Sequence, residues 1–286
     1  MGFFVRRFND FGIDSLTIVF LRAFFTAVIT SVGILIYKKE LIRIKLRDVW
    51  IFAGAGLLSI VFFNYCYFSA VSVMSLSVAA ILLYTSPIFV MLLSAVIFKE
   101  RVTFKKIAAM VISIFGLSLV TGIFEGNASV TVTGILFGIG SAFGYALYSI
   151  FTRLAINRGY HPFTITCWSF IWAAVFSAFT VNYDACFKMI ETDIAMLPFT
   201  VLFAVTVTVL PYILYSLGLT GTENVKAAVL ASAEPVAATV YGVFFFGEIP
   251  SVSGIIGIVT VIAAILISGS PDRKKEKKNE RNSVQP

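Results

Sequence analysis

The sequence predicts an all-α integral membrane protein: inverted five-helix repeats of a 5+5 architecture, with the first helix missing and nine transmembrane helices visible. Three observations predict this. The 286 residues are 59% hydrophobic and only 13% charged, with a mean hydropathy of +0.95, whereas soluble domains carry about twice that charge fraction. The apolar residues form long unbroken runs, and in lipid a helix satisfies its own backbone hydrogen bonds. The third observation is a duplication. At a shift of 147, Phe4, Arg6, Gly12, Thr17 and Ile18 meet Phe151, Arg153, Gly159, Thr164 and Ile165. At a shift of 148, Tyr67, Ala79, Leu82, Pro87 and Glu100 meet Tyr215, Ala227, Leu230, Pro235 and Glu248. Repeats of this size in a hydrophobic chain are a common way to build carriers.

The apolar runs number nine. The first, about 16–37, ends at the basic loop 38–48. The second and third, 49–71 and 76–98, lead to the basic cluster 99–106. The fourth and fifth, 104–124 and 131–152, end at Arg153 and Arg158. The sixth and seventh, 163–181 and 196–218, lead to Lys226, where the eighth, 226–246, begins. The ninth, 252–269, precedes a polar tail that reads as disordered. Residues 1–124 are the first repeat, 131–269 the second, and 270–286 a basic cytoplasmic tail. The links are short, which leaves no room for a soluble catalytic domain.

Net charge is +7, and its placement is more informative than its sum. On a nine-helix alternation, 18 of the 22 Lys and Arg residues fall on one side. Arg6, Arg7 and Lys188 fall on the other, and Arg22 lies within a span. The positive-inside rule then puts the C-terminus in the cytoplasm and the present N-terminus outside. A nucleic-acid surface is the poorer reading, because these charges form short clusters beside membrane ends. Cys66, Cys167 and Cys186 show neither metal spacing nor a pairing pattern, and the first two read as packing residues. Asn127 begins a glycosylation sequon that has meaning only in a secretory-pathway host. No cleavable signal peptide is read at the start. No metal or cofactor is expected.

The repeat also exposes a gap. The run 131–152 opens the second half, and subtracting 147 places most of its counterpart before Met1. Either a first helix has been lost or the chain begins at a downstream methionine. Five is an odd number, so the two units would sit in opposite orientations. Arg6 then falls outside while its counterpart Arg153 falls inside. Inverted repeats are the usual basis of alternating access.

Both halves carry a proline followed thirteen residues later by a glutamate, and then a glycine-containing helix. The first half reads TSPIFVMLLSAVIFKERVTFKKIAAMVISIFGLSLV and the second EPVAATVYGVFFFGEIPSVSGIIGIVTVIAAILISG. With FVRRFNDFGIDSLTIVFLRAFFTA at the start, residues 2–269 resemble the drug/metabolite transporter superfamily, EamA type. The resemblance implies ten helices, both termini cytoplasmic, and a bacterial inner membrane. It also implies a central cavity lined by the spans that start here near 49, 76, 131, 196 and 226.

Glu234 is the sharpest candidate for function. It is the one acidic residue deep in an expected span, roughly 12 Å beyond Lys226 at helical rise. An intramembrane carboxylate costs about 2.5–3.5 kcal/mol even on the lenient insertion scale. It can exchange a proton, face a substrate ammonium, or pair structurally with a neighbouring helix. The equivalent residue in the first half is Ser86. Pro87 and Pro235 break the hydrogen-bond ladder of matching helices, as hinges or as static kinks. Asn64 and the tyrosines Tyr65, Tyr67, Tyr84, Tyr145, Tyr148, Tyr212 and Tyr215 bring polar atoms into apolar spans. They suit a small amphipathic substrate or its amine, or else helix–helix bonding and an interfacial belt. Arg22 is read as snorkelling to the outer interface or pairing with a neighbour, and a bound carboxylate is the alternative. Gly134, Gly138, Gly140 and Gly144 have the spacing of close helix packing. Glu100 and Glu248 read as cap or loop anchors.

Together these features predict a secondary-active carrier that exports a small organic metabolite, an amino acid, amine or similar compound, by alternating access with proton coupling through Glu234. No P-loop is present to use ATP. An enzyme would need converging acids or histidines, and the single histidine, His161, lies in a loop beside Pro162. A channel would need a ring of carbonyls or like charges. The alternative is a membrane assembly or regulatory protein that transports nothing.

Overall fold

A computed structural model describes residues 2–123, 130–246 and 250–270. Among them the chain is helix, turn and loop, with no strand. Asn127, Glu248 and the tail beyond Ser270 lie outside the described residues.

A short helix α1 (Gly2–Asp10) turns into α2 (Ser15–Tyr37). Gly12 takes φ 71°, which glycine adopts without a Cβ penalty, and its N–H bonds the Asn9 carbonyl at 2.9 Å. Asp14 then caps α2 by accepting from the Thr17 N–H at 2.6 Å. The same turn recurs 147 residues later. Gly159 has φ 83°, its N–H bonds Ile156 at 2.9 Å, and His161 Nδ1 accepts from the Phe163 N–H.

The next span is interrupted. It runs as α3 (Val49–Gly54), a π-helical segment (Ala55–Val61) and α4 (Phe62–Val73). A third span breaks at Tyr84 and Thr85 between α5 (Leu76–Leu83) and α6 (Ser86–Ile97). After α7 (Phe104–Val120), α8 (Val132–Asn157), α9 (Pro162–Ser177) and the short α10 (Tyr183–Thr192), both interruptions return. The helix α11 (Met196–Ala204) passes through a π segment (Val205–Val209) into α12 (Leu210–Gly221). Then α13 (Asn224–Ala231) breaks at Ser232 before α14 (Ala233–Phe246), and α15 (Val252–Gly269) follows. At a shift of 148, residues 55–61 fall on 203–209 and Tyr84 falls on Ser232.

Eight described helical stretches are long and apolar enough to cross a membrane by length and composition. The expected run 104–124 is the shorter α7, of 17 residues. Pro87 and Pro235 lie just after the breaks, in the first turn of α6 and α14. A proline's missing N–H removes little at that position, so the prolines start half-helices and do not kink continuous ones.

Small residues set the close contacts. A Cβ on Gly138 of α8 would stand 2.4 Å from Leu82 Cδ1, and one on Gly144 3.0 Å from Phe63 Cα. On α15, a Cβ at Gly257 would stand 2.6 Å from the Gly116 carbonyl of α7. Without those side chains the helix backbones nearly touch.

The basic loops are knitted together at one end. Asp48, 2% exposed, accepts from Arg158 and from the Tyr160 hydroxyl at 2.7 Å. Lys106 pairs with Glu223 at 2.8 Å. Arg153 donates to the Thr222 carbonyl and to Asn224 Oδ1 at 2.8 Å, and Asn224 Nδ2 donates to Ser94 at 3.0 Å. Glu100, expected as an anchor, accepts from the Asn224 N–H at 3.4 Å. The opposite end holds Arg7 against Asp193 at 3.4 Å, over a core that includes Phe8, Ile13, Met196 and Phe203.

Candidate functional site

The break at Ser232 positions Glu234. Before the break, α13 packs on α6, α7, α8, α12 and α15. After it, the principal contacts of α14 are with α15, α7 and α13. The helix therefore leaves the centre of the bundle just where Glu234 stands, and the Glu234 side chain is exposed there. Protein packs around it on several sides nonetheless. Among the described residues it makes no ion pair.

Four tyrosines share the neighbourhood of that carboxylate. The hydroxyls of Tyr67, Tyr84, Tyr145 and Tyr212 lie within its electrostatic reach, and all four side chains are half-buried. Tyr84 stands at the α5/α6 break and Glu234 just after the α13/α14 break, so both matched interruptions contribute to this group. Tyr67 and Tyr145 are held from behind by Phe63, at ring distances of 6.2 and 5.6 Å. Tyr212 is wedged edge-on between Tyr148 and Phe170, each at 4.8 Å.

The remaining candidates do other work. Tyr148, 7% exposed, reaches Ser216 at 3.3 Å, and the Tyr215 hydroxyl reaches Ser149 at 2.5 Å. These two bonds tie α8 to α12. Asn64 is buried and donates to the Ile60 carbonyl at 2.7 Å, satisfying its own helix near the end of the π segment. Tyr65 points outward, edge-on to Phe137. Pro87 is buried and Pro235 half-buried, each beside its break.

Arg22 overturns an expectation. It does not snorkel. It is 5% exposed, faces the bundle interior, and lies in electrostatic reach of Tyr212. Its Nε and Nη2 have no partner among the described residues. The physical reason is its helix face: Arg22, Thr26 and Thr30 follow at intervals of four on the buried side of α2. That polar stripe was visible in the sequence and was the signal to follow. Thr26 and Thr208, whose buried hydroxyls also have no partner, were missed.

Among the described residues no three His, Cys, Asp or Glu side chains gather to hold a metal, and the three cysteines are free. Two recesses of about 400 Å³ lie at the basic end, one by Thr222, Lys226 and Ser268 and one by Lys45, Arg158 and Tyr160. Neither includes Glu234. They are hollows between loops and helix ends.

The EamA-like transporter family matches residues 1–122 and 132–270. An uncharacterized transporter of Archaeoglobus fulgidus is 30% identical over 93% of this chain and 89% of its own. The threonine/homoserine exporter RhtA of Salmonella typhimurium is 28% identical over 70% of this chain and 65% of its own. One solved crystal structure shares the fold, with a TM-score of 0.73 at 17% identity, over 90% of this chain and 88% of that one.

Proposed function

The chain belongs to the EamA-like transporter family of the drug/metabolite transporter superfamily, whose members are transporters and not enzymes, and from that premise we propose that it is a proton-coupled exporter of a small amino compound. The observation that carries the reading is Glu234: a carboxylate at a helix break, without an ion pair among the described residues and within electrostatic reach of four tyrosines. A proton and a substrate ammonium compete for one such carboxylate, which makes their movements exclusive of one another. Tyrosine faces and hydroxyls receive the cation while it is shed of water. Exchange of the two across the membrane is antiport.

Alternating access is proposed through two inverted units, 1–124 and 131–269. The matched π segments, the matched breaks and the recurring glycine turn support that reading. The basic end is assigned to the cytoplasm, with the C-terminus and tail there, in a bacterial inner membrane. That end is closed by the Arg153, Asn224 and Ser94 bonds, while α14 stands away from the centre. This arrangement suits a carrier open to the outside. Because RhtA is named a threonine/homoserine exporter, amino acids are the first substrates to try.

The test uses proteoliposomes enclosing a pH-sensitive dye. Amino acids and amines are added outside, and Glu234→Gln is compared with the parent. Substrate-triggered proton movement is expected, reduced at least ~10-fold in the variant, since the carboxylate would carry both proton and ammonium. Full pH-dependent transport in Glu234→Gln would sink the proposal.

A further inference from the structure

We infer that Arg22 grips a carboxylate of the substrate, so that the transported class is a zwitterion held between Arg22 and Glu234. The inference rests on Glu234 marking the transport site.

Two N–H-bearing atoms of a buried guanidinium, Nε and Nη2, have no partner among the described residues. A buried charge left unpaired is strongly unfavourable, and the cost is relieved when an anion arrives. The two atoms form one edge of the planar fork, which matches the two oxygens of a carboxylate. Glu234 does not fill this role, for the two residues make no ion pair. They do share a neighbour: Tyr212 lies within electrostatic reach of both. Beside Arg22, Ala23 packs in one cluster with Phe170 and Tyr212. Thr26, one turn from Arg22, and Thr208, one turn from Tyr212, supply two more buried hydroxyls without partners.

Depth agrees with a short ligand. Arg22 lies roughly 10 Å into α2 from one end, and Glu234 roughly 15 Å beyond Asn224 from the other, at ideal helical rise. In a hydrocarbon core of about 30 Å, both are close to the midplane. One guanidinium with two hydroxyls suits a single carboxylate. The other buried cation in the described helices, Lys106, is already paired with Glu223.

The experiment measures binding to the full chain in nanodiscs by thermal-shift titration. Each of the twenty amino acids is compared with its amide, which keeps the ammonium and loses the carboxylate. The parent is expected to bind at least one acid ~10-fold or more tightly than its amide, the loss of a charge-assisted pair. Arg22→Gln should abolish that preference. Arg22→Lys, which keeps the charge and guards against misfolding, should retain part of it. Glu234→Gln should weaken acid and amide together. Equal binding of acid and amide by the parent overturns the inference, as does binding of none, or an undiminished preference in Arg22→Gln. Acid-selective binding without transport in liposomes would sink the carrier reading and leave the carboxylate grip standing. Transport of amides as readily as acids would do the reverse.

Discussion

Tyr215 and Tyr84 are both tyrosines in apolar spans, yet they have different work. Tyr215 reaches Ser149 on another helix, whereas Tyr84 lies within electrostatic reach of Glu234. Tyr215→Phe should therefore cost about 1 kcal/mol of stability, a hydrogen bond's net worth, and lower the unfolding temperature by a few degrees. Tyr84→Phe should leave the unfolding temperature in place and weaken substrate binding several-fold. Thermal unfolding and uptake, measured on both variants, separate the two roles. The sequence could not make this distinction. Tyr212 and Tyr215 share a helix face by spacing, but Phe170, against which Tyr212 packs, and Ser149, which Tyr215 reaches, lie on other helices. Arg22 differs in kind, because its stripe with Thr26 and Thr30 was readable and the general habit of snorkelling overrode it.

At the scale of helices, the glycines divide by what they touch. A Cβ on Gly138 meets Leu82 at 2.4 Å, while one on Gly218 meets nothing within 4 Å. Gly138→Ala should destabilise by about 1–3 kcal/mol through overpacking. Gly218→Ala should be neutral or stabilise by up to about 1 kcal/mol through helix propensity. The order of the two unfolding temperatures decides it, and a stable Gly138→Ala would show that α5 and α8 can part at no cost. Helix existence was readable from the apolar runs, and the breaks were flagged by Pro87 and Pro235. The π segments were less visible. Pro211 cannot donate to the ladder behind the second one, but the first, AGLLSIV, carries no proline.

For the whole molecule, the bonds at the basic end tie α8 and α6 to α13. Asn224 is their hub: it accepts from Arg153 and Glu100 accepts from its N–H, while its amide donates to Ser94. Asn224→Ala removes two of these three bonds and should favour opening at that end. A cysteine introduced as Thr152→Cys, in a background without Cys66, Cys167 and Cys186, should then react faster with an impermeant maleimide applied from the basic side. Unchanged labelling would mean that the seal lies elsewhere. The clustering of charge at one end was readable, because it follows from loop composition alone. The interlocking was not, since Arg153 and Asn224 are 71 residues apart. The π segments hold a last consequence. A π turn accommodates one surplus residue in an α-helical ladder, so each segment is stored slack. Deleting one residue within 205–209 should therefore be absorbed as the segment reverts to ordinary α-helix, with α12 kept in register, whereas deleting Ile213 from the regular helix should swing everything after it by about 100° relative to what precedes. The first protein would still insert, fold and keep Tyr212 on its present face; the second would be an intact shell with Tyr215 turned away from Ser149.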